Sequence, residues 1–350
     1  MSVLPAITTP LATLLAAAEE RVVMPDLIWW HWLLFGILIV VLLALDLFVF
    51  HRDMHEPTLR ESAFWTVVWC SVALAFNGFV WYWRGGEAGI QFLTGYLIEW
   101  SLSMDNVFVF AVIFTFFRVP KRYQYRVLFW GIMGAIVMRL TFVMLGVTLL
   151  HYADWMLWIF GLFLIYTGIK LSLHDETEVD PDKNILMRIA KRLFPVAKGD
   201  HGEKFFVMEN GRRAITPLFL VLLVVESTDV LFAVDSVPAI FGVTKDPFIV
   251  FTSNIFAILG LRALYFLLAG VMGLFRYLNY GLSAVLIFVG VKMVADYWAH
   301  DYIERIPYPH VISLVVIIIL LGTSIVASLV AARRERLLTP DAASKAGELR

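Results

Sequence analysis

The chain has 350 residues, of which 60% are apolar and only 16% are charged, and its formal net charge is −1. Soluble domains contain roughly 45–50% apolar and about 25% charged residues, so the composition excludes an ordinary soluble protein. The near-neutral charge gives no support for nucleic-acid binding. Cys70 is the one cysteine, which excludes an internal disulfide and a thiolate metal site, so any metal site is expected to use oxygen ligands.

Apolar blocks of about 20 residues, long enough to cross ~30 Å of hydrocarbon, recur along the chain. Each block is expected to be helical, because backbone groups in lipid have no water with which to form hydrogen bonds. The nine predicted spans are 27–50, 62–83, 89–117, 125–150, 154–172, 214–242, 248–271, 275–298 and 310–332. The predicted fold class is therefore an all-α polytopic membrane protein with about nine transmembrane helices.

Lysine and arginine are distributed unevenly between the loops. With the N-terminus outside, the inner segments hold 20 of these residues and the outer segments hold 4. Cytoplasmic segments carry the excess of positive charge, so we predict an outer tail at 1–26 and cytoplasmic segments at 173–213 and 333–350. Segment 173–213 is a linker, and its stretch from Ile185 to Phe194 allows either a basic amphipathic helix on the membrane surface or a solvated connection. We favour the solvated connection.

An internal repeat relates the third, fourth and fifth spans to the sixth, seventh and eighth. The third span contains EWSLSMDNVFVFAVIF and the sixth contains ESTDVLFAVDSVPAIF; a shift of 130 positions places Glu99 on Asp229, and slightly shorter shifts align the next two spans. The aligned polar pairs are Glu99 with Asp229, Asp105 with Asp235, Asn106 with Ser236, Arg139 with Arg262, and Lys170 with Lys292. Polar residues that match in register indicate duplication rather than chance similarity between apolar helices.

Each repeated unit holds three helices, an odd number, so the copies at 89–172 and 214–298 are expected to cross the membrane in opposite directions. Inverted repeats of this kind build transporters, and their substrate site lies near the midplane between the copies. Two leading helices at 27–83 and a last helix at 310–332 lie outside the repeat.

Five carboxylates lie inside the predicted spans, where an ionised side chain costs at least ~2.5–3.5 kcal/mol. They are Glu99, Asp105, Glu226, Asp229 and Asp235. Arg139 and Arg262 are expected to balance two of them, and Lys292, near the outer end of its span, is a third candidate for charge balance. The two arginines leave three negative charges, which suits a divalent cation site that can hold a proton when empty. A closed ion-pair network that only joins helices is the alternative.

The kind of ligand narrows the choice of metal. Carboxylate and amide oxygens suit magnesium, calcium and manganese, whereas zinc and copper prefer imidazole or thiolate. Asn106 and Ser236 adjoin the aligned aspartates and add neutral oxygens, and Asn254 in the seventh span is a further candidate. The predicted metal ligands are thus the five carboxylates and Asn106.

A straight sixth helix cannot direct all of its carboxylates to one ion. Residues advance by about 100° along a helix, so Asp235 points about 120° away from Asp229. Pro238 removes the hydrogen bond to the carbonyl of Val234, and we therefore expect the sixth span to be broken there. The freed carbonyl would be a further oxygen ligand.

These motifs resemble the TerC family of bacterial membrane proteins, and the span pattern is most similar to its Alx branch. The resemblance rests on EWSLSMDNVFVFAVIF, on ESTDVLFAVDSVPAIFGVTKDPFIVFTSNIFAILGLRALYF and on the paired GIK and GVK segments, and it covers residues 30–330. It implies a duplicated transporter fold in the bacterial inner membrane and, for the Alx branch, manganese export. The intramembrane acidic residues of the family correspond to the five carboxylates named above.

We therefore predict a divalent cation transporter rather than an enzyme, with Mn²⁺ as the exported ion and no permanently bound cofactor. The residues alone allow Ca²⁺ as well, and they leave proton coupling and the oligomeric state open. The main alternative is a membrane scaffold, insertion or envelope-stress accessory protein associated with tellurium resistance. An exporter of organic cations would need fewer carboxylates, and an intramembrane protease would need the HExxH or GxGD motifs that this chain lacks.

Overall fold

A computed structural model describes most of the chain. The described residues are 29–46, 58–153, 155–173, 184–197, 199, 201–209, 211–269, 277–298 and 309–338. They form eleven helices and one two-stranded hairpin. The chain separates into two compact units, 1–53 and 54–350, and the first helix belongs to the smaller one.

The helices follow the predicted spans closely. Their bounds are α1 Trp29–Leu45, α2 Leu59–Arg84, α3 Gly86–Phe116, α4 Lys121–Tyr152, α5 Met156–Leu173, α6 Ile185–Leu193, α7 Pro217–Phe241, α8 Pro247–Leu259, α9 Leu261–Ala269, α10 Leu278–Trp298 and α11 Pro309–Leu338. Within the described residues, seven are long and apolar enough to cross a membrane, and the bent pair α8–α9 allows an eighth. The all-α polytopic fold is therefore confirmed. The count of nine stays a prediction, since the described part of α1 has 17 residues.

Capping residues fix where several of these helices begin. The side chains of Thr58, Thr216 and Asp246 accept hydrogen bonds from the first-turn N–H groups of α2, α7 and α8. Proline follows at the first position of α7 and of α8, where no intrahelical bond is lost. Between α2 and α3 the chain reverses at Gly85, whose φ of +93° suits glycine.

The expected break in the sixth span was wrong. Helix α7 continues through Pro238 to Phe241, and the bend lies in the next span, where α8 and α9 meet at Gly260 at 44°. Pro238 lies within one turn of the helix end, so it interferes with a single backbone bond near a terminus that can absorb it. Gly260 packs closely against α2, because a Cβ atom placed on it would lie 3.4 Å from Cβ of Trp69.

The third helices of the two copies, α5 and α10, form the closest helix pair. A Cβ atom placed on Gly161 would lie 2.8 Å from the carbonyl oxygen of Gly290, and the Ser283 hydroxyl donates to the carbonyl of Gly168 at 2.5 Å. The shift of 122 that aligns Gly168 with Gly290 also aligns Gly161 with Ser283. The two contacts are therefore one contact made twice, as a two-fold axis between the copies requires.

The same exchange relates the other helices of the repeat. Helix α3 packs on α8 and α4 packs on α7, so the first helix of each copy lies against the second helix of the other. Both first helices, α3 and α7, also meet one another. Residues that are distant in sequence but aligned by the repeat are thereby brought to the centre of the bundle.

The predicted linker is folded where the structure describes it. Helix α6 packs on α7, its Met187 and Ala190 are buried, and Asn184 donates to the hydroxyl of Ser227. Strands β1 (Phe206–Glu209) and β2 (Arg212–Ile215) pair in antiparallel register. The prediction of a solvated connection was therefore incomplete, because a helix forms at 185–193 within the linker. The hairpin was not predicted, although the Asn-Gly dipeptide before β2 is a strong hairpin signal.

Candidate cation site

The first acidic helix places a carboxylate at the centre of the bundle. Glu99 on α3 is 0% exposed, and its Oε1 lies 2.6 Å from Nη1 of Arg139 on α4. Arg139 is 2% exposed. Both residues belong to the first copy, and a buried charge of either sign would be costly without the other. The sequence predicted the pairing of an acid with Arg139, and the structure identifies Glu99 as the partner.

The second copy completes the surroundings of Arg139. Nη1 donates to Oδ1 of Asn254 on α8 at 2.5 Å and contacts the hydroxyl of Ser236 on α7. The amide nitrogen of Asn254 donates to the carbonyl of Val250 at 3.0 Å, which fixes the amide with its oxygen toward Arg139. A single guanidinium nitrogen therefore meets oxygens from three helices, α3, α7 and α8.

Asp229, the repeat partner of Glu99, lies in the same cluster. It is buried on α7 and close enough to both Arg139 and Glu99 to interact with them electrostatically. We call Glu99, Asp229, Ser236 and Asn254, with Arg139 among them, the central cluster. It brings together two predicted metal ligands, one from each copy, with two neutral oxygens.

The other predicted ligands lie around this cluster rather than in it. Glu226 is one turn before Asp229, and its carboxylate fills the space that a side chain at Gly134 on α4 would need. Asp105 is half-buried on α3, and beside it Asn106 is buried. Asp235 is half-buried and interacts electrostatically with Lys170 on α5. In the described part of the chain, no three Asp, Glu, His or Cys side chains come together as a metal-binding group.

The remaining predicted bases have separate environments. The Arg262 guanidinium lies over the ring of Tyr125 at 4.6 Å and near that of Phe129 at 5.7 Å. Such contacts between a cation and a ring face are attractive, and more so away from water. Lys292 donates to the carbonyl of Gly242 at 3.3 Å, at the C-terminal end of α7, where the helix dipole favours a cation. The sequence did not predict these partners for Arg262 or for Lys292.

A second polar cluster lies at the end of the bundle where α2 and α7 finish. The sequence did not predict it. Arg84 and Asp246 form a 2.6 Å ion pair whose side chains are almost fully buried, so the end of α2 is tied to the start of α8. Nearby, Thr244 donates to Oε1 of Gln91 on α3 at 2.7 Å. The Asp-Pro pair before α8 is a helix-start signal, but nothing in the sequence names Arg84 as its partner.

The comparisons with known proteins agree with this architecture. The profile described as "Integral membrane protein TerC family" matches residues 84–336. The chain belongs to the TerC family. The TerC match begins at the end of α2 and includes both copies, the linker and nearly all of α11. It thus contains every residue of the central cluster.

Several TerC relatives are similar over most of their length. The chain is 51% identical over 302 residues to "Uncharacterized membrane protein STKORF319" of Myxococcus xanthus, which covers 86% of this chain and 92% of that protein. It is 46% identical over 274 residues to "Putative membrane-bound redox modulator Alx" of Escherichia coli strain K12, covering 75% and 85%. It is 39% identical over 299 residues to a Rickettsia bellii membrane protein, covering 85% and 97%. No solved structure matches the chain.

Proposed function

We propose that this protein is a divalent cation transporter that exports Mn²⁺ from the cytoplasm through the acidic residues between its two copies. The observation that carries the proposal is the central cluster, where acids of both copies meet one guanidinium in the interior. Glu99 and Asp229 together exceed the charge of Arg139 by one. A membrane protein retains such groups only where they are balanced or functional.

Two further acids enlarge the negative excess. In the described part of the chain, neither Asp105 nor Glu226 has a salt bridge or a hydrogen bond to a basic side chain, while Asp235 has Lys170 nearby. The excess near the centre is then three negative charges, the same value that the sequence predicts with a different assignment of partners. A bound divalent ion with a proton would neutralise it.

The positive-inside distribution supports an orientation with the N-terminus outside and the linker in the cytoplasm. The relatives named above are bacterial proteins, which favours the bacterial inner membrane as the location. Manganese and outward transport are the parts of the proposal that rest on resemblance to the Alx branch. Oxygen ligands favour manganese or calcium over zinc or copper.

The test is manganese handling in cells without their own manganese exporter. Wild-type protein should lower cellular manganese and restore growth in excess Mn²⁺. Asp105→Asn and Asp235→Asn should each return manganese content toward that of cells without the protein. Glu209→Gln, which removes a carboxylate from the hairpin, is the matched control and should behave as wild type. Unchanged manganese handling in both aspartate variants, with the protein present in the membrane, would contradict the proposal.

The name of the Escherichia coli relative suggests a redox role as a second candidate function. This chain offers one thiol, Cys70 on α2, which accepts a hydrogen bond from the Tyr96 hydroxyl at 3.4 Å. A single cysteine cannot form a disulfide within one chain. Cys70→Ala should therefore leave manganese handling intact, whereas a thiol-based function would be lost in that variant.

A further inference from the structure

The central cluster places a cation of the protein itself among oxygens that suit a metal. Nη1 of Arg139 lies 2.6 Å from Oε1 of Glu99 and 2.5 Å from Oδ1 of Asn254, and it also contacts the hydroxyl of Ser236. Calcium and magnesium are held in proteins by several oxygens that converge on the ion. Carboxylate, amide and hydroxyl oxygens likewise converge here on one nitrogen atom.

We propose that Arg139 occupies the cation position formed by Glu99, Ser236 and Asn254, and that the transported metal binds there only after the guanidinium has moved away. The inference rests on the proposed transport function and adds the location of the ion and the residue that competes with it. Asp229 lies beside this position and would provide a second carboxylate.

The fit between Arg139 and its surroundings is incomplete, which favours exchange over a permanent bond. Nη1 carries two hydrogens but faces three oxygens, so at least one contact must share a hydrogen or be purely electrostatic. Nε of Arg139 and Oε2 of Glu99 are buried without a hydrogen-bond partner in the described part of the chain. Leaving buried polar groups without partners is costly, and a metal ion has no fixed number of hydrogens to limit its contacts.

Charge makes the two occupants mutually exclusive. A divalent ion placed beside the guanidinium would put three positive charges next to the two negative charges of Glu99 and Asp229. Like charges a few ångströms apart repel strongly in an interior of low dielectric constant. Metal binding therefore requires Arg139 to leave, and departure of the metal allows its return. The protein would then neutralise its own site without an ion, which eases the return step of a transport cycle.

The second copy provides a matched control. Arg262 is aligned with Arg139 by the repeat, but its guanidinium lies over the rings of Tyr125 and Phe129. Removing Arg262 removes the same charge from the same protein without emptying the central cluster. The two arginines therefore separate competition at the site from a general effect of charge.

The experiment measures Mn²⁺ affinity by calorimetry on purified full-length protein in detergent, and Mn²⁺ efflux in proteoliposomes. Arg139→Gln should bind Mn²⁺ at least about tenfold more tightly than wild type and should transport more slowly, because nothing displaces the ion. Arg262→Gln should keep its affinity within about threefold of wild type. Arg139→Lys, which keeps the charge on a shorter side chain, should bind a few-fold more tightly and serves if Arg139→Gln does not fold.

The outcomes separate this inference from the proposed function. If wild type binds and transports Mn²⁺ but neither Arg139 variant binds it more tightly, the competition inference is wrong and the transport proposal stands. An equal rise in affinity in Arg262→Gln would also overturn it, because the effect would then be one of charge alone. If neither wild type nor any variant binds Mn²⁺, the transport proposal itself fails.

Discussion

In the first copy, Arg139 lies on an unbroken helix among oxygens from three other helices, whereas its counterpart Arg262 lies beyond the bend at Gly260 and over aromatic rings. Asn254, before the bend, contributes its amide oxygen to the central cluster, whereas the guanidinium of Arg262, after the bend, lies over the rings of Tyr125 and Phe129. The two aligned arginines therefore have different surroundings, one among oxygens and the other over aromatic rings.

The acidic helices of the two copies show a smaller difference. Glu99 and Asp229 share the central cluster, as their alignment predicts. Asp105 and Asp235 are both half-buried, but Asp235 has Lys170 nearby. The copies thus match at their central acids and differ at the second pair of aspartates, because Lys170 lies near Asp235 whereas its repeat partner Lys292 donates to the carbonyl of Gly242.

The largest expected effect is a loss of stability when one of the two central acids, Glu99 or Asp229, is replaced by its amide. Glu99→Gln leaves Arg139 without its direct partner, and breaking a buried pair costs ~3–5 kcal/mol. Asp229→Asn should cost less, because Asp229 makes no direct bond to Arg139 among the contacts of the described residues. The check is the free energy of unfolding of the purified protein from chemical denaturation in detergent.

The control for that prediction is the double variant with Glu99→Gln and Arg139→Gln, which removes both charges. It should recover part of the stability that Glu99→Gln loses, because no unpaired guanidinium is left. If Asp229→Asn costs as much as Glu99→Gln, the two acids contribute equally to holding Arg139, and the assignment of Glu99 as its direct partner is wrong.

The contact between α5 and α10 tests whether the two copies are equivalent where their third helices meet. Gly168 and Gly290 are aligned by the repeat, and a Cβ atom on either would lie within 2.9 Å of a backbone oxygen of the other helix. Alanine at either position should destabilise the protein by ~1–3 kcal/mol, as overpacking does. Gly78→Ala is the control, since nothing lies within 4 Å of a Cβ atom there. Loss of stability in only one of the two variants would deny the two-fold relation at this contact.

The sequence predicted the helices well because the length of an apolar block and the thickness of a bilayer are linked directly. It also paired Glu99 with Asp229, since alignment of the copies does not depend on knowing the fold. It could not distinguish Arg139 from Arg262, because both follow similar apolar residues and the partners of each come from elements distant in sequence. Gly260, at the bend between α8 and α9, lies against Trp69 of α2, and no local pattern records a contact between elements so distant in sequence.

The ring contacts of Arg262 give the smallest expected effect and show whether the second arginine has a role of its own. Tyr125→Leu removes the nearer ring, and loss of a buried cation–π contact costs ~0.5–2 kcal/mol. Tyr125→Phe keeps a ring face and should retain most of that stability. In an Arg262→Gln background, Tyr125→Leu should lose less than it does alone, because the contact is already absent. In an Arg139→Gln background its cost should be unchanged. Equal coupling of Tyr125 to both arginines, measured from the same unfolding curves, would mean that the two environments are not independent.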